Sequence, residues 1–372
     1  MKVLQLCKFY PPVMGGIESV AWELTEGLNR AGIPTGVLCS HQQWRGVHER
    51  APSGYGIWRA GSLGRLLSTS IAPPVVPLLA KLVSQVDIVH LHMPDPMAAA
   101  ALWLVRPRCK VVVHWHSDVV RQRRAMRLYE PLQRWVLKRA DAVIATSPPY
   151  VESSEPLRSW VHKVKVVPIG ISDNRPEACS EKVMGLRRQF GGRRMVLALG
   201  RMTYYKGFAV LIDAARHLPE DCSVIIGGDG ELLERYRNQV KRGGLDGKVH
   251  LPGHIQDGLL ASYFQACDVF CMPSIVRAEA YGVAILEAMV MGKPVVASDI
   301  PGSGVPWVNL HGQTGLNVPV GDARELAEVL TSLLKDDNLR RRLGDNGRRR
   351  YEACFTAEAM TRGVIDLYKQ LA

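Results

Sequence analysis

Short apolar runs alternate with amphipathic helical stretches along almost the whole chain, and this alternation limits the fold more than any other feature. Runs at Lys2–Cys7, Thr35–His41, Asp87–Met93, Cys109–Ser117, Asp141–Ser147 and Val164–Ile171 read as strands. A second series follows at Met195–Arg201, Ser223–Gly230, Val249–Gly253, Asp268–Pro273, Pro294–Ser298 and Gly315–Val320. Most are apolar at consecutive positions, which marks strands covered on both faces. Strand, helix and strand in repetition predict a doubly wound parallel sheet. Because the pattern restarts at Met195, the expected fold class is α/β with two doubly wound, Rossmann-like sheets, each in its own domain. A chain of 372 residues has room for two such cores. The polar stretch Ser172–Arg194, with Pro176, Gly185 and Gly191-Gly192, reads as the linker. Gln42–Gly64 reads as irregular, and Leu66–Val83 as a helix with a proline-broken entry.

The net charge of +12 and a pI near 9.4 call for an anionic partner: a nucleoside diphosphate, an acidic lipid surface or nucleic acid. Much of the charge sits at 119–140, where Arg121, Arg123, Arg124, Arg127, Arg134, Lys138 and Arg139 face a lone acid, Glu130. Leu128, Leu132, Trp135 and Val136 form an apolar stripe at helical spacing there. Such a helix suits a membrane surface or ordinary packing with a solvated face. No nucleic-acid motif accompanies the charge, so nucleic acid is not expected. Arginines 340–342 and 348–350 read as a second, solvated basic helix. The eight cysteines form no C-x2-C pair, which points to the reducing cytoplasm. The first ten residues read as a strand rather than a leader, and no apolar run is long enough to span a membrane.

Several patterns carry chemistry. Glu279 and Glu287 are separated by seven residues, the first on the loop after a strand and the second about one turn into the apolar helix Val283–Met291. A carboxylate in so apolar a helix needs a partner. Two acids at a strand's carboxyl end, beside a helix N-terminus, suit a ligand with hydroxyls and phosphates. In GRMTYYKG, Arg201 and Lys206 stand five apart across a turn at a strand mouth, where a fork and a point charge can hold a diphosphate from two directions. After the first strand, Gly15-Gly16 precedes a helix, an arrangement that offers bare backbone N–H groups to an anion or makes a plain tight turn. His90 and His92 share one face of a strand, as do His114 and His116. Four histidines could ligate zinc, but no cysteine or acid completes a usual set, so no metal is expected.

The E-x7-E stretch, followed by EAM-x-x-G-x-P-V-V-A-S, resembles the retaining glycosyltransferases of family 4, which have the two-domain GT-B fold. The likeness extends over G-R-x4-K-G and nearly the whole chain. It implies domains at 1–178 for the acceptor and 179–355 for the nucleotide-sugar donor, with a helix at 356–372 crossing back to the first. The site would lie in a cleft between the two sheets. By the same resemblance Glu279 holds the transferred sugar's hydroxyls and Glu287 the nucleotide ribose. Gly282, Val283 and Ala284 line the donor at the helix start, Arg201 and Lys206 clamp the diphosphate, and Gly15 and Gly16 give backbone contact. Ile255 lies against the base, and His116, at the end of HWH, faces the sugar through its backbone and ring. His92 resembles a supporting position, and a satisfied structural histidine is the better reading of it. Relatives usually carry G-G-x-x-E soon after Ser298, whereas this chain reads PGSGVPW without an acid.

H-W-H-S-D-V-V-R-Q-R and T-S-P-P-Y look like the branch that transfers mannose or D-rhamnose in O-antigen synthesis. The expected function is therefore retaining, metal-independent transfer from a GDP-sugar to a lipid-linked or oligosaccharide acceptor. The expected location is the cytoplasm, docked by helix 119–140 on the inner membrane's cytoplasmic face. A UDP-sugar-dependent transferase, a sugar-nucleotide epimerase and a basic adaptor without turnover are the alternatives.

Overall fold

A computed structural model of the chain describes residues 1–13, 15–66, 69–119, 123–173 and 178–371. Residues 120–122 of the expected basic helix and 174–177 of the expected linker lie outside this set. The chain divides into two compact units: Met1–Ile171 with Thr356–Ala372, and Ser172–Phe355.

Unit 1 runs β1 (Val3–Cys7), α1 (Gly16–Arg30), β2 (Thr35–Ser40), β3 (Val47–Arg50), β4 (Gly56–Ala60), β5 (Arg65–Leu66), β6 (Thr69–Ser70), α2 (Val75–Leu82), β7 (Ile88–Met93), α3 (Pro96–Val105), β8 (Lys110–Trp115), α4 (Arg123–Arg139), β9 (Ala142–Ala145), α5 (Pro148–Ser153) and β10 (Val164–Val166). Its main sheet has the order β10-β9-β8-β7-β1-β2-β4-β3, parallel except for β3. Every residue of β1, β7 and β9 is buried, the polar Gln5, His90 and His92 included. The stretch expected to be irregular holds β3 and β4, and β4 extends the sheet in register with β2, Val37 opposite Ile57. The pattern hid β4 because it carries Arg59 among its buried residues. That guanidinium is satisfied locally, by Glu49 at 2.7 Å and by the carbonyls of Tyr10 and Pro11.

Unit 2 runs α6 (Ser180–Gln189), β11 (Arg194–Leu199), α7 (Phe208–Ala214), β12 (Cys222–Gly227), α8 (Leu233–Arg242), β13 (Val249–Gly253), α9 (Asp257–Ala266), β14 (Val269–Met272), α10 (Val283–Val290), β15 (Val295–Ser298), α11 (Val305–Val308), β16 (Gly315–Val318), α12 (Ala323–Lys335) and α13 (Asp337–Cys354). Its six strands are all parallel, in the order β13-β12-β11-β14-β15-β16. The expected linker is in large part α6, which packs on α9 and buries Leu186. One apolar anchor in a helix otherwise rich in Glu, Lys and Arg was too weak a stripe to read.

The second basic helix is not simply solvated. Arg340 is buried and donates to the carbonyls of Leu333 and Leu334 at the end of α12, while pairing with Asp337. Arg348 reaches the Val290 carbonyl at 2.6 Å and Arg350 the Trp307 carbonyl at 2.8 Å. In α4, Leu128 is 87% exposed and so leaves the expected apolar stripe, whereas Val136 and Leu137 are buried. Arg139 is tied to Asp141 and to the carbonyls of Pro107 and Cys109.

The last helix, α14 (Ala357–Leu371), belongs to unit 1 and packs on α1. Ile171 and Thr356 form a parallel bridge where the chain leaves and re-enters the unit. Gly170 permits the approach, since a Cβ there would lie 2.0 Å from the Thr356 carbonyl oxygen. Both large sheets reverse their winding direction once. In unit 1 this happens between β1 and β7; in unit 2, between β11 and β14. Loops leaving the carboxyl ends of strands at such a reversal splay apart and leave a crevice for a ligand.

Candidate functional site

The loops at the reversal in unit 2 are Gly200–Gly207, after β11, and Pro273–Gly282, after β14. They meet through Lys206, whose Nζ lies 2.6 Å from Glu279 Oε2. Both side chains are largely withdrawn from solvent, at 13% and 10% exposure. Burial alone would pull the Lys206 ammonium down; the Glu279 carboxylate more than offsets this and holds it above its ordinary value. Ser274 donates a second hydrogen bond to the same carboxylate oxygen at 3.1 Å. An ammonium has three donors, of which Glu279 takes one.

Close backbone approaches build this corner. Gly207, at φ +66°, caps α7 and lies so near the Pro273 carbonyl that a Cβ would sit 1.9 Å from its oxygen. Gly228, at φ +139°, stands in the same relation to the Gly200 carbonyl. Arg201 is exposed, and its charge acts on Lys206. Gly282, at φ +85°, turns the chain into α10, so the N–H groups of Val283 and Ala284 open the helix with no carbonyl one turn behind them. Both residues are half-buried, as is Glu287 in the second turn. Ile255 is buried and packs on Gly227 at the end of β12. The structure thus joins Lys206 to Glu279 directly and brings Arg201 alongside, while Ile255 and Glu287 stand on their own elements around the same sheet edge.

In unit 1, Gly15 and Gly16 lie at the start of α1, and Glu18 is in its first turn. Gly15 is extended at φ −172°, so glycine is there for open backbone rather than for conformation. His116 follows β8 and continues its pairing, its N–H donating to the Met93 carbonyl at 3.0 Å. It belongs to a stack of four buried imidazoles. The rings of His114 and His116 are 4.2 Å apart, and those of His92 and His116 are 5.1 Å apart and nearly parallel. Burial first, and then neighbouring rings, push His90, His92 and His116 well below the usual histidine range, and burial takes His114 down to about 3. All four are neutral near pH 7. Nitrogens of His90, His92 and His114 lie within 4.8 Å of one another, close enough to ligate a metal. Those of His90 and His92 are already engaged in hydrogen bonds, while His114 Nε2 has no partner among the described residues; no carboxylate is among the three to balance a buried dication.

Residues 14–175 match the family described as Glycosyltransferase Family 4, and residues 187–350 match Glycosyl transferases group 1. The chain is 32% identical to O-antigen chain mannosyltransferase C of Escherichia coli, over 100% of this chain and 99% of that protein. This chain belongs to glycosyltransferase family 4. It is also 32% identical to D-rhamnosyltransferase WbpZ of Pseudomonas aeruginosa, over 96% of this chain and 93% of the relative. Its fold is that of Anabaena Alr3699/HepE, crystallised with UDP-glucose, at a TM-score of 0.80, 21% identity and complete coverage of both chains. Both halves of this family 4 glycosyltransferase are accordingly the Rossmann-like domains of the GT-B fold.

Two supports of the transferase's acidic corner had no legible signal. Ser274 was simply part of a strand exit. In the acid-free PGSGVPW segment, Ser303 donates to the Glu279 backbone carbonyl at 2.5 Å, and Gly304 N–H donates to the Ala280 carbonyl at 2.8 Å. Arg277 Nε reaches the Gly302 carbonyl at 3.0 Å. That segment therefore braces the Glu279 loop from outside. Among the described residues, no helix is long and apolar enough to cross a membrane.

Proposed function

We propose that this glycosyltransferase moves a hexose, mannose or D-rhamnose, from a GDP-sugar to a lipid-linked or oligosaccharide acceptor in cell-surface polysaccharide synthesis. The Lys206–Glu279 pair at the winding reversal of unit 2 carries the reading, because it sets a cation for phosphate beside a carboxylate for sugar hydroxyls. Full-length similarity to a mannosyltransferase and a D-rhamnosyltransferase supports the choice of sugar.

The difficult event is departure of the nucleoside diphosphate. Arg201, the remaining donors of Lys206 and the first N–H groups of α10 meet its growing negative charge, so no metal is required. Glu279 holds the transferred sugar, Glu287 the ribose, and Ile255 borders the base. His116 meets the sugar, and Gly15-Gly16 offers backbone to the donor or acceptor. The anomeric carbon's bond to phosphate breaks as its bond to the acceptor oxygen forms on the same face. The departing phosphate oxygen takes the acceptor's proton, and the configuration is retained. Arg127, Arg134 and Lys138, exposed on α4 with Leu128 among them, suit an acidic membrane surface at the cytoplasmic face.

A UDP-sugar donor is the second reading, favoured by the UDP-glucose bound in the HepE structure. A thermal-shift panel of GDP-mannose, GDP-D-rhamnose, UDP-glucose and ADP-glucose separates the two, since a tight ligand raises the melting temperature. Release of GDP on addition of a lipid-linked acceptor, unchanged by EDTA, is the expected result. A shift with UDP-glucose alone moves the assignment to the second reading, and conversion of donor without acceptor overturns transfer altogether.

A further inference from the structure

The four stacked imidazoles form two hydrogen-bonded branches, and the branches end on partners of different chemistry. In the first, Gln5 Oε1 lies 2.8 Å from His92 Nε2, and His92 Nδ1 lies 2.8 Å from His116 Nε2. In the second, Tyr368 Oη lies 2.5 Å from His90 Nδ1, and His90 Nε2 lies 3.2 Å from His114 Nδ1. All six side chains are buried.

An amide oxygen can only accept, so His92 Nε2 carries a proton. A neutral imidazole has one proton, which leaves His92 Nδ1 bare and able only to accept. His116 Nε2 must then be the donor, and by the same count His116 Nδ1 is bare. The second branch has no such direction, because a phenol both donates and accepts. Gln5 sits on β1 opposite His90, with its amide nitrogen outside hydrogen-bond geometry. Turned the other way, the amide would donate to His92 and reverse every bond in the branch, so that His116 Nδ1 became a donor.

We propose that Gln5 is a positioning residue: through His92 it fixes His116 as the Nε2–H tautomer and so presents a bare Nδ1 that accepts a hydrogen bond from a hydroxyl of the transferred sugar. The sugar as the group accepted rests on the proposed function; the tautomer does not. Glutamine suits the task because it gives an uncharged acceptor within a core that excludes ions.

The test is long-range 15N–1H correlation on the full chain labelled at histidine, with signals assigned by single-histidine variants. His116 is expected to carry its proton on Nε2. Gln5→Met removes the acceptor at similar volume, and it should let both tautomers appear. It should also lower kcat about tenfold, with the donor KM changed less than about twofold, the size of one lost hydrogen bond. His92→Phe keeps the ring in the stack and should have the same effect. A wild-type His116 protonated at Nδ1 overturns the proposal without any variant being needed, as does an unchanged tautomer in both variants. Should the donor assignment be wrong, the wild-type protein shows no turnover with GDP-sugars, and the spectrum still decides the tautomer.

Discussion

At the scale of single residues, the pair that matters most is Lys206 with Glu279, and its energetics make it testable apart from turnover. Each group is nearly buried, so removing one strands the other in a poorly hydrated corner. Lys206→Met should destabilise unit 2 by about 3 kcal/mol, the cost of breaking a buried pair. Adding Glu279→Gln should restore part of that loss, which a double-mutant cycle in urea would measure. Equal and additive losses would mean that the two groups do not interact. The folded state holds Lys206 above its ordinary value, so the pair's contribution is complete below about pH 10.4 and lost as pH rises through the folded value. Unfolding midpoints measured from pH 9 to 12 should therefore fall more steeply in the wild type than in Glu279→Gln. Both residues were legible at strand exits, because strand runs and glycine turns are local signals. Their meeting was not legible, since 73 positions separate them and neither segment refers to the other. Ser303 was less legible still, because a serine hydroxyl that braces a backbone carbonyl leaves no charge or periodicity to notice.

At the scale of elements, β7 and β8 owe their pH behaviour to the histidines they bury. An unfolded histidine takes up a proton near pH 6.5, whereas these four stay neutral well below it, His114 to about 3. Stability is thus complete above about pH 6.5 and drains away as pH falls, each ring contributing about 1.4 kcal/mol per pH unit. Together they give a limiting slope of about 5.6 kcal/mol per unit, so unit 1 loses stability steeply as pH falls below about 6.5. Urea midpoints of the wild type between pH 7.5 and 5 should show this slope for unit 1, and His114→Phe should reduce it by about 1.4 kcal/mol per unit. A flat profile would show that the rings reach water before the sheet opens. The strands themselves were legible as apolar runs, yet the burial of all four rings was not, because period-two spacing assigns a face without saying what covers it. The cover is partly α14, which brings Tyr368 to His90. The elements misread, β4 and α6, share one cause: a buried arginine in one and a single apolar anchor in the other break the patterns on which sequence reading relies.

At the scale of the whole molecule, the chain builds unit 1 from two pieces and unit 2 from one. Unit 2 is continuous from Ser172 to Phe355 and has its own core. Unit 1 stays incomplete until α14 is added, which buries Met360, Val364, Leu367 and Tyr368. Four such side chains are worth about 6–12 kcal/mol at roughly 1.5–3 kcal/mol each, comparable to the entire stability of a domain. A chain ending at Phe355 should therefore keep the calorimetric transition of unit 2 and lose that of unit 1. Tyr368→Phe is the milder version: it leaves His90 Nδ1 without its partner and should lower the stability of unit 1 by about 1–2 kcal/mol, with unit 2 unmoved. If truncation abolished both transitions, the units would fold as one body. If it abolished neither, α14 would be an accessory rather than a structural part of the first unit. The Ile171–Thr356 bridge gives the physical reason to expect the intermediate result. Both passages of the chain are fastened to unit 1 at that point, so removal of α14 is felt on one side of the junction.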